Sequence, residues 1–193
     1  STPAKAARWR KACGPRPDRT PMHNLPFSPA AERNKAPILE RLQAVLPAQG
    51  AALEIASGTG QHAVWFAAGL PGWHWQPTDF EAHALHAINA RVAEAGLSRV
   101  APARRLDVLA PQWPAEGPAF STLFDAIYCA NMLHIAPWAT CAALMQGAAR
   151  HLSPGGVLIT YGPYLEHGVP TSPGNLAFDA SLRAQHPDWG IRP

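Results

Sequence analysis

Residues 52–67 read ALEIASGTGQHAVWFA. Leu53 and Ile55 belong to a short apolar run that ends in two glycines one residue apart, Gly58 and Gly60, after which the pattern becomes helical. A strand that enters a helix through a glycine turn presents backbone N–H groups and the positive end of the helix to a nucleotide-like ligand. The rest of the chain has to supply the sheet for that strand and the chemistry for that ligand.

Working outward from this stretch, strands and helices alternate. The spacing of Ile38, Leu39, Leu42, Val45 and Leu46 predicts a helix that starts at Pro37 and stops at Pro47. Residues 51–57 read as a buried strand, 61–70 as a helix, 74–80 as a strand, and 81–95 as a helix stopped by Gly96. Residues 101–108 are expected as a third strand, 124–131 as a fourth, 137–152 as a helix and 155–163 as a fifth strand. Strands separated by helices of this length require right-handed crossovers and a parallel sheet covered on both faces. The expected fold is therefore a doubly wound α/β fold. Ligands bind such sheets beyond the carboxyl ends of the strands, where the strand order reverses. Ser57, Gly58, Asp79, Asp107 and Asn131 all fall at those ends.

The 193 residues, 47% of them hydrophobic, suffice for one core, and length favours a single domain over residues 23–193. No apolar run reaches the roughly 20 residues that span a bilayer, and no secretory h-region follows the basic start. Three scattered cysteines, Cys13, Cys129 and Cys141, suggest neither a disulfide framework nor a zinc site, and a reducing cytoplasm is expected. The net charge of +3 is unevenly placed. Residues 1–22 hold six basic side chains against Asp18, which leaves ten basic and twelve acidic residues in 23–193. The body is slightly acidic, which argues against DNA or RNA as the main substrate. The Pro-rich basic tail is expected to be disordered.

The turn Gly58-Thr59-Gly60-Gln61-His62-Ala63 satisfies the relaxed dinucleotide pattern, and Asp79 follows where a ribose-binding acid would stand. Two charge features point elsewhere. Glu54 stands on the strand feeding the turn, and residues 58–68 contain no Lys or Arg. A carboxylate there repels a pyrophosphate but attracts a sulfonium and an α-ammonium group. S-adenosylmethionine carries both cations and no phosphate, so the pattern prefers it to NAD.

SPAAERNKAPIL (28–39), LEIASGTGQH (53–62), WQPTD (75–79), ANMLHIAPW (130–138), YGPY (161–164) and FDASLR (178–183) together closely resemble an uncharacterised family. It is a methyltransferase-like "domain of unknown function" group within the class I S-adenosylmethionine-dependent methyltransferases. The resemblance runs from about Leu25 to Ile191 and implies a Rossmann-like parallel sheet and that cofactor. Class I sheets normally continue past the fifth strand with a helix and an antiparallel hairpin, and those elements are expected to be absent here. An uncovered fifth strand would then be shielded by residues 171–191 or by a second copy of the chain.

The resemblance also implies site residues. Glu54, Ala56, Ser57, Gly58, Thr59 and Gly60 would surround the methionyl part of the cofactor. Asp79, with Phe80 beside it, would take the ribose hydroxyls, and Leu106, Asp107 and Val108 the adenine. Asn131 and Met132 would lie beside the transferable methyl, and Arg33 would clamp the cofactor carboxylate, with Asn34 its neighbour. For chemistry the expected set is His134, Asn131 and Tyr164. Histidine can take a proton from an attacking nucleophile near neutral pH, although His134 reads equally well as a structural cap and Asp79 as a cap for helix 81–95. Tyr161 is a second candidate for the pocket wall, and His167 with residues 171–183 for a lid. His83 and His86 share a helix face but lack a third ligand, so no metal site is expected.

Three functions remain open from sequence. The first is a methyltransferase acting on a small molecule, which needs positioning and water exclusion more than an acid–base array. The second is a methyltransferase-fold module that binds the cofactor, or no longer does, and works through a partner. The third is an NAD-dependent oxidoreductase. Titration with S-adenosylmethionine, S-adenosylhomocysteine and NAD separates them.

Overall fold

The computed structural model describes residues 25–114 and 116–193; the basic tail of residues 1–22 lies outside them. Helix α1 spans Pro29–Val45 and therefore begins well ahead of Pro37, which sits inside it. Its start is set by Ser28, whose side chain accepts the Ala31 N–H at 3.2 Å, with Pro29 at the first helical position. Arg33 and Asn34 are consequently helical residues and do not precede the helix.

The elements that follow are β1 (Gly50–Ile55), α2 (Gln61–Gly69), β2 (Trp73–Asp79), α3 (Ala82–Ala95), β3 (Arg104–Arg105), β4 (Phe124–Ala130), a 3-10 turn (Leu133–Ile135), α4 (Ala139–His151), β5 (Leu152–Tyr161) and α5 (Pro173–Gln185). Gly96 ends α3 in the left-handed conformation, φ 64°. The third strand is far shorter than expected. Trp75 bridges Val100, Pro102 interrupts the ladder, and pairing resumes only at Thr78↔Arg104 and Asp79↔Arg105.

All five strands are parallel, in the order β3-β2-β1-β4-β5. Alternate residues of β1 feed two cores. Ala52 joins Ile38, Leu42, Phe66 and Trp75 beneath α1 and α2, whereas Leu53 and Ile55 join Leu106, Trp113, Ile127 and Leu144 beneath α4. Strands buried on both faces read as near-continuous apolar runs, which is why β1 and β4 stand out in the sequence.

Among the described residues β5 pairs only with β4. Residues 173–192 do not pair along β5 as the expected cover would; they lie at its carboxyl end. There Tyr164 bridges Arg192, and the Leu165 N–H donates to the Arg192 carbonyl at 2.7 Å. No helix of the described residues is long and apolar enough to cross a membrane.

The strand order reverses between β1 and β4. At that point two non-glycine residues adopt positive φ, Ala56 at 55° and Asn131 at 56°. Such conformations cost energy and persist where the surroundings enforce them, often at functional sites.

Candidate functional site

The glycine turn is anchored by Asp79. Its Oδ2 accepts the Gly58 N–H at 2.8 Å and its Oδ1 accepts the Glu81 N–H at 2.9 Å, so one side chain joins the turn after β1 to the start of α3. Gly58 and Gly60 have φ of 55° and 76°. A Cβ on Gly60 would stand 3.1 Å from the Ile88 Cα, so this glycine lets α3 approach closely.

Glu54 is only 2% exposed, and its Oε2 accepts the Trp75 indole N–H at 2.6 Å. Burial, reinforced by the nearby Asp79, pushes its carboxyl up to about 8. The charge that the sequence argument assigned to Glu54 is thus largely suppressed at neutral pH and becomes favourable only when a cation enters beside it.

Three adjoining cavities cross the carboxyl ends of the strands. One, of about 370 Å³, lies between the glycine turn and the end of β4 and is bordered by Glu54, Ala56, Ser57, Gly58, Asp79 and Met132. The second, of about 390 Å³, is a mostly apolar slot that includes Phe80, Leu106, Asp107, Val108 and Met132. The Asp107 Oδ1 accepts the Leu109 N–H at 2.9 Å, which fixes this carboxylate on the slot wall. These two cavities hold Glu54, Asp79, Glu81 and Asp107 and no Lys or Arg. Their one histidine, His62, is held down to about 4 by burial and is neutral at physiological pH.

The third cavity, of about 810 Å³, has α1 on one side and α5 on the other. Arg33, Asn34, Asn131, His134, Tyr161 and Phe178 line it. His134 is 7% exposed, and burial, then the Arg192 charge, holds its imidazole below the ordinary histidine range. Its ring meets Phe178 edge-on at 5.4 Å. The backbone beneath it is clamped by the end of the described chain. The Gly190 N–H donates to the His134 carbonyl at 3.0 Å, and the Arg192 guanidinium donates to the carbonyls of Leu133 and Ala136.

The structure therefore gathers most of the expected residues but divides them. Glu54, Ala56, Ser57, Gly58, Thr59, Asp79, Asn131 and Met132 share the first cavity, and Phe80, Leu106, Asp107 and Val108 share the second. Gly60 shapes the turn without lining either. Arg33 lines the third cavity and neither of the other two. Tyr161 lines that cavity and Tyr164 does not; burial raises the Tyr164 hydroxyl, and the residue bridges Arg192. His167 lies outside all three linings, whereas α5 supplies Asn175 and Phe178. His83 faces Glu81 on the surface, and no group of three potential metal ligands occurs among the described residues.

Sequence reasoning missed the polar ties of α1. The Gln61 Oε1 accepts the Ser28 N–H at 2.6 Å and the Thr59 hydroxyl at 2.9 Å, and its Nε2 donates to Glu32 at 3.0 Å. His62 Nε2 lies 2.7 Å from Asn34 Oδ1. Ile135, which borders all three cavities, was also missed. The signal for the first group was present: Gln-His directly after the second glycine is an unusual polar start for a helix whose first turn is buried.

Solved structures share this fold. The S-adenosylmethionine-dependent methyltransferase SibL, in its apo form, is 20% identical with a TM-score of 0.67, over 84% of this chain and 45% of that one. An O-methyltransferase family 2 protein from Planctomyces limnophilus, in complex with apigenin, is 18% identical with a TM-score of 0.67, over 84% and 49%. The glycopeptide N-methyltransferase MtfA, complexed with S-adenosylhomocysteine, is 20% identical with a TM-score of 0.57, over 72% and 56%. The chain thus spans about half the length of the structures it matches. These likenesses establish the class I methyltransferase fold, and the motifs are more specific: matching over residues 25–193, the chain belongs to the family described as "Protein of unknown function (DUF938)".

Proposed function

We propose that the chain is an S-adenosylmethionine-dependent methyltransferase acting on a small molecule. One observation carries the reading: the two cavities around the glycine turn combine four carboxyl groups with no Lys or Arg. That donor set suits a ligand with cationic centres and no phosphate, and it disfavours a dinucleotide. The residues present therefore fit the cofactor. Asp79 has lone pairs left for ribose hydroxyls beyond its two backbone bonds, and the slot at Leu106, Asp107 and Val108 suits a flat base. Glu54 lies where a cationic centre gains from a carboxylate. MtfA was crystallised with S-adenosylhomocysteine, which agrees with this assignment.

Glu54, Asp79 and the slot at Leu106, Asp107 and Val108 would hold S-adenosylmethionine, which would supply an activated methyl group with its sulfur as the leaving atom. Asn131, shared by the first and third cavities, marks the junction where acceptor meets methyl. His134, neutral at physiological pH, takes the proton that the acceptor oxygen or nitrogen loses and passes it to solvent. On this reading residues 23–193 act as one methyltransferase-like unit.

Calorimetric titration tests the proposal. Micromolar binding of S-adenosylhomocysteine with none of NAD is expected. Tighter binding of NAD overturns it, and cofactor binding without transfer to any acceptor leaves a binding module.

A further inference from the structure

Resting on the methyltransferase reading, we infer that the acceptor is a planar organic acid whose carboxylate is bound by Arg33 in the cavity between α1 and α5. The chambers differ in charge. The formally charged residues lining the two cofactor cavities are all carboxyl groups, whereas the third cavity has one formally charged lining residue, Arg33, and no Asp or Glu. The acid adjacent in sequence, Glu32, is turned away to Lys35 and Gln61. No carboxylate of the described residues lies within ion-pair distance of Arg33. His134 adds no charge at neutral pH, because burial and Arg192 keep its imidazole unprotonated.

One guanidinium matches one carboxylate, which it can hold through two parallel hydrogen bonds. The body of the ligand is read from the remaining walls. Tyr161 and Phe178 are each 41% exposed and line the same cavity, as does Pro37. Exposed aromatic side chains in one lining suit a flat, largely apolar ring. The ring of Phe178 already packs edge-on against His134. A planar acceptor beside Phe178 with its carboxylate at Arg33 therefore has its far end free to offer a hydroxyl or amine towards His134 and Asn131.

Arg33 lies on the solvent side of the cavity, so its attraction is screened and is worth about tenfold in affinity, well below what a buried ion pair would give. The test compares para-hydroxybenzoate with its uncharged amide, para-hydroxybenzamide, by calorimetry, with and without S-adenosylhomocysteine. The benzoate should bind about tenfold more tightly than the amide, and the preference should shrink with added salt. Arg33→Met, which keeps the stem and the helical propensity, should abolish the preference while leaving S-adenosylhomocysteine affinity unchanged; Arg33→Lys should keep part of it. Equal affinities for the pair, no millimolar binding of the benzoate, or a preference that survives Arg33→Met would overturn the inference. So would an Arg33→Met protein that loses cofactor affinity in parallel, since that places the guanidinium on the cofactor. A protein that binds no S-adenosylhomocysteine yet keeps the Arg33-dependent preference retains the anion site and loses the methyltransferase reading.

Discussion

The Trp75 indole N–H donates to the Glu54 carboxyl at 2.6 Å, and both side chains are buried. Burial raises the folded carboxyl to about 8 from an ordinary 4.5. Between those values the folded chain holds a proton that the unfolded chain releases. Glu54's contribution is therefore fully present below pH 4.5 and is lost as pH rises through about 8. His62 and His134, both lowered from 6.5, act in the opposite sense below that value. The ligand-free protein should thus lose thermal stability between pH 6.5 and 8, and Glu54→Gln should flatten that slope. Melting temperatures across this range decide it.

The same carboxyl links cofactor binding to protons. A sulfonium or ammonium group beside Glu54 favours its ionised form, so binding below pH 8 should release a proton and affinity should rise with pH towards a plateau. Calorimetry at neutral pH in two buffers of different ionisation enthalpy measures the release directly. In Glu54→Gln the heats should no longer depend on the buffer.

Asp79 accepts from Gly58 and Glu81 while facing the cofactor cavity. Asp79→Ala removes the acceptor for two backbone donors as well as the proposed ribose contact. It should weaken S-adenosylmethionine binding about 10- to 100-fold, since hydrogen bonds to charged groups are worth about 1.5–3 kcal/mol. It should also lower the melting temperature. Asp79→Asn should cost less on both counts. Unchanged affinity in a folded Asp79→Ala protein would remove the ribose assignment.

For His134 the expectation is kinetic. His134→Gln should reduce turnover about 10²–10⁴-fold with cofactor affinity nearly intact. Phe178→Ala would admit water to the imidazole and lift its titration towards the ordinary range. The acidic limb of the kcat profile should then move to higher pH. A limb that stays in place would make His134 a structural residue.

The two turn glycines separate strain from sterics. Gly58→Ala meets nothing within 4 Å and should cost only the positive-φ penalty, about 1 kcal/mol. Gly60→Ala carries the same penalty and also presses on the backbone of α3 at Ile88, so it should cost more. Urea denaturation of the two variants gives the comparison.

How far the molecule was legible depended on whether a signal was local. The apolar runs around Leu53 and Ile127, each buried to 0% exposure, betray central parallel strands, and Gly58-Thr59-Gly60 betrays the turn between strand and helix. Helix α1 was read too short because Pro37 resembles a helix start. Its actual start is Ser28-Pro29, and the proline inside merely leaves the Arg33 carbonyl without an N–H partner. Helix α5 carries the same Ser-Pro signature at Ser172-Pro173, but Leu182 is its only buried residue, so little core packing marks it. The division of the site into chambers was not legible at all. Arg33 and Glu54 are both expected as cofactor contacts from the sequence, and the fold sets them in the linings of different cavities.

Ile135 borders each of the three cavities, and this has a thermodynamic consequence. A side chain that must accommodate occupants on several sides makes their free energies interdependent. Whatever factor the cofactor imposes on acceptor affinity, the acceptor must impose on cofactor affinity. Substituting Ile135 changes both factors together, and no order of arrival can make them differ.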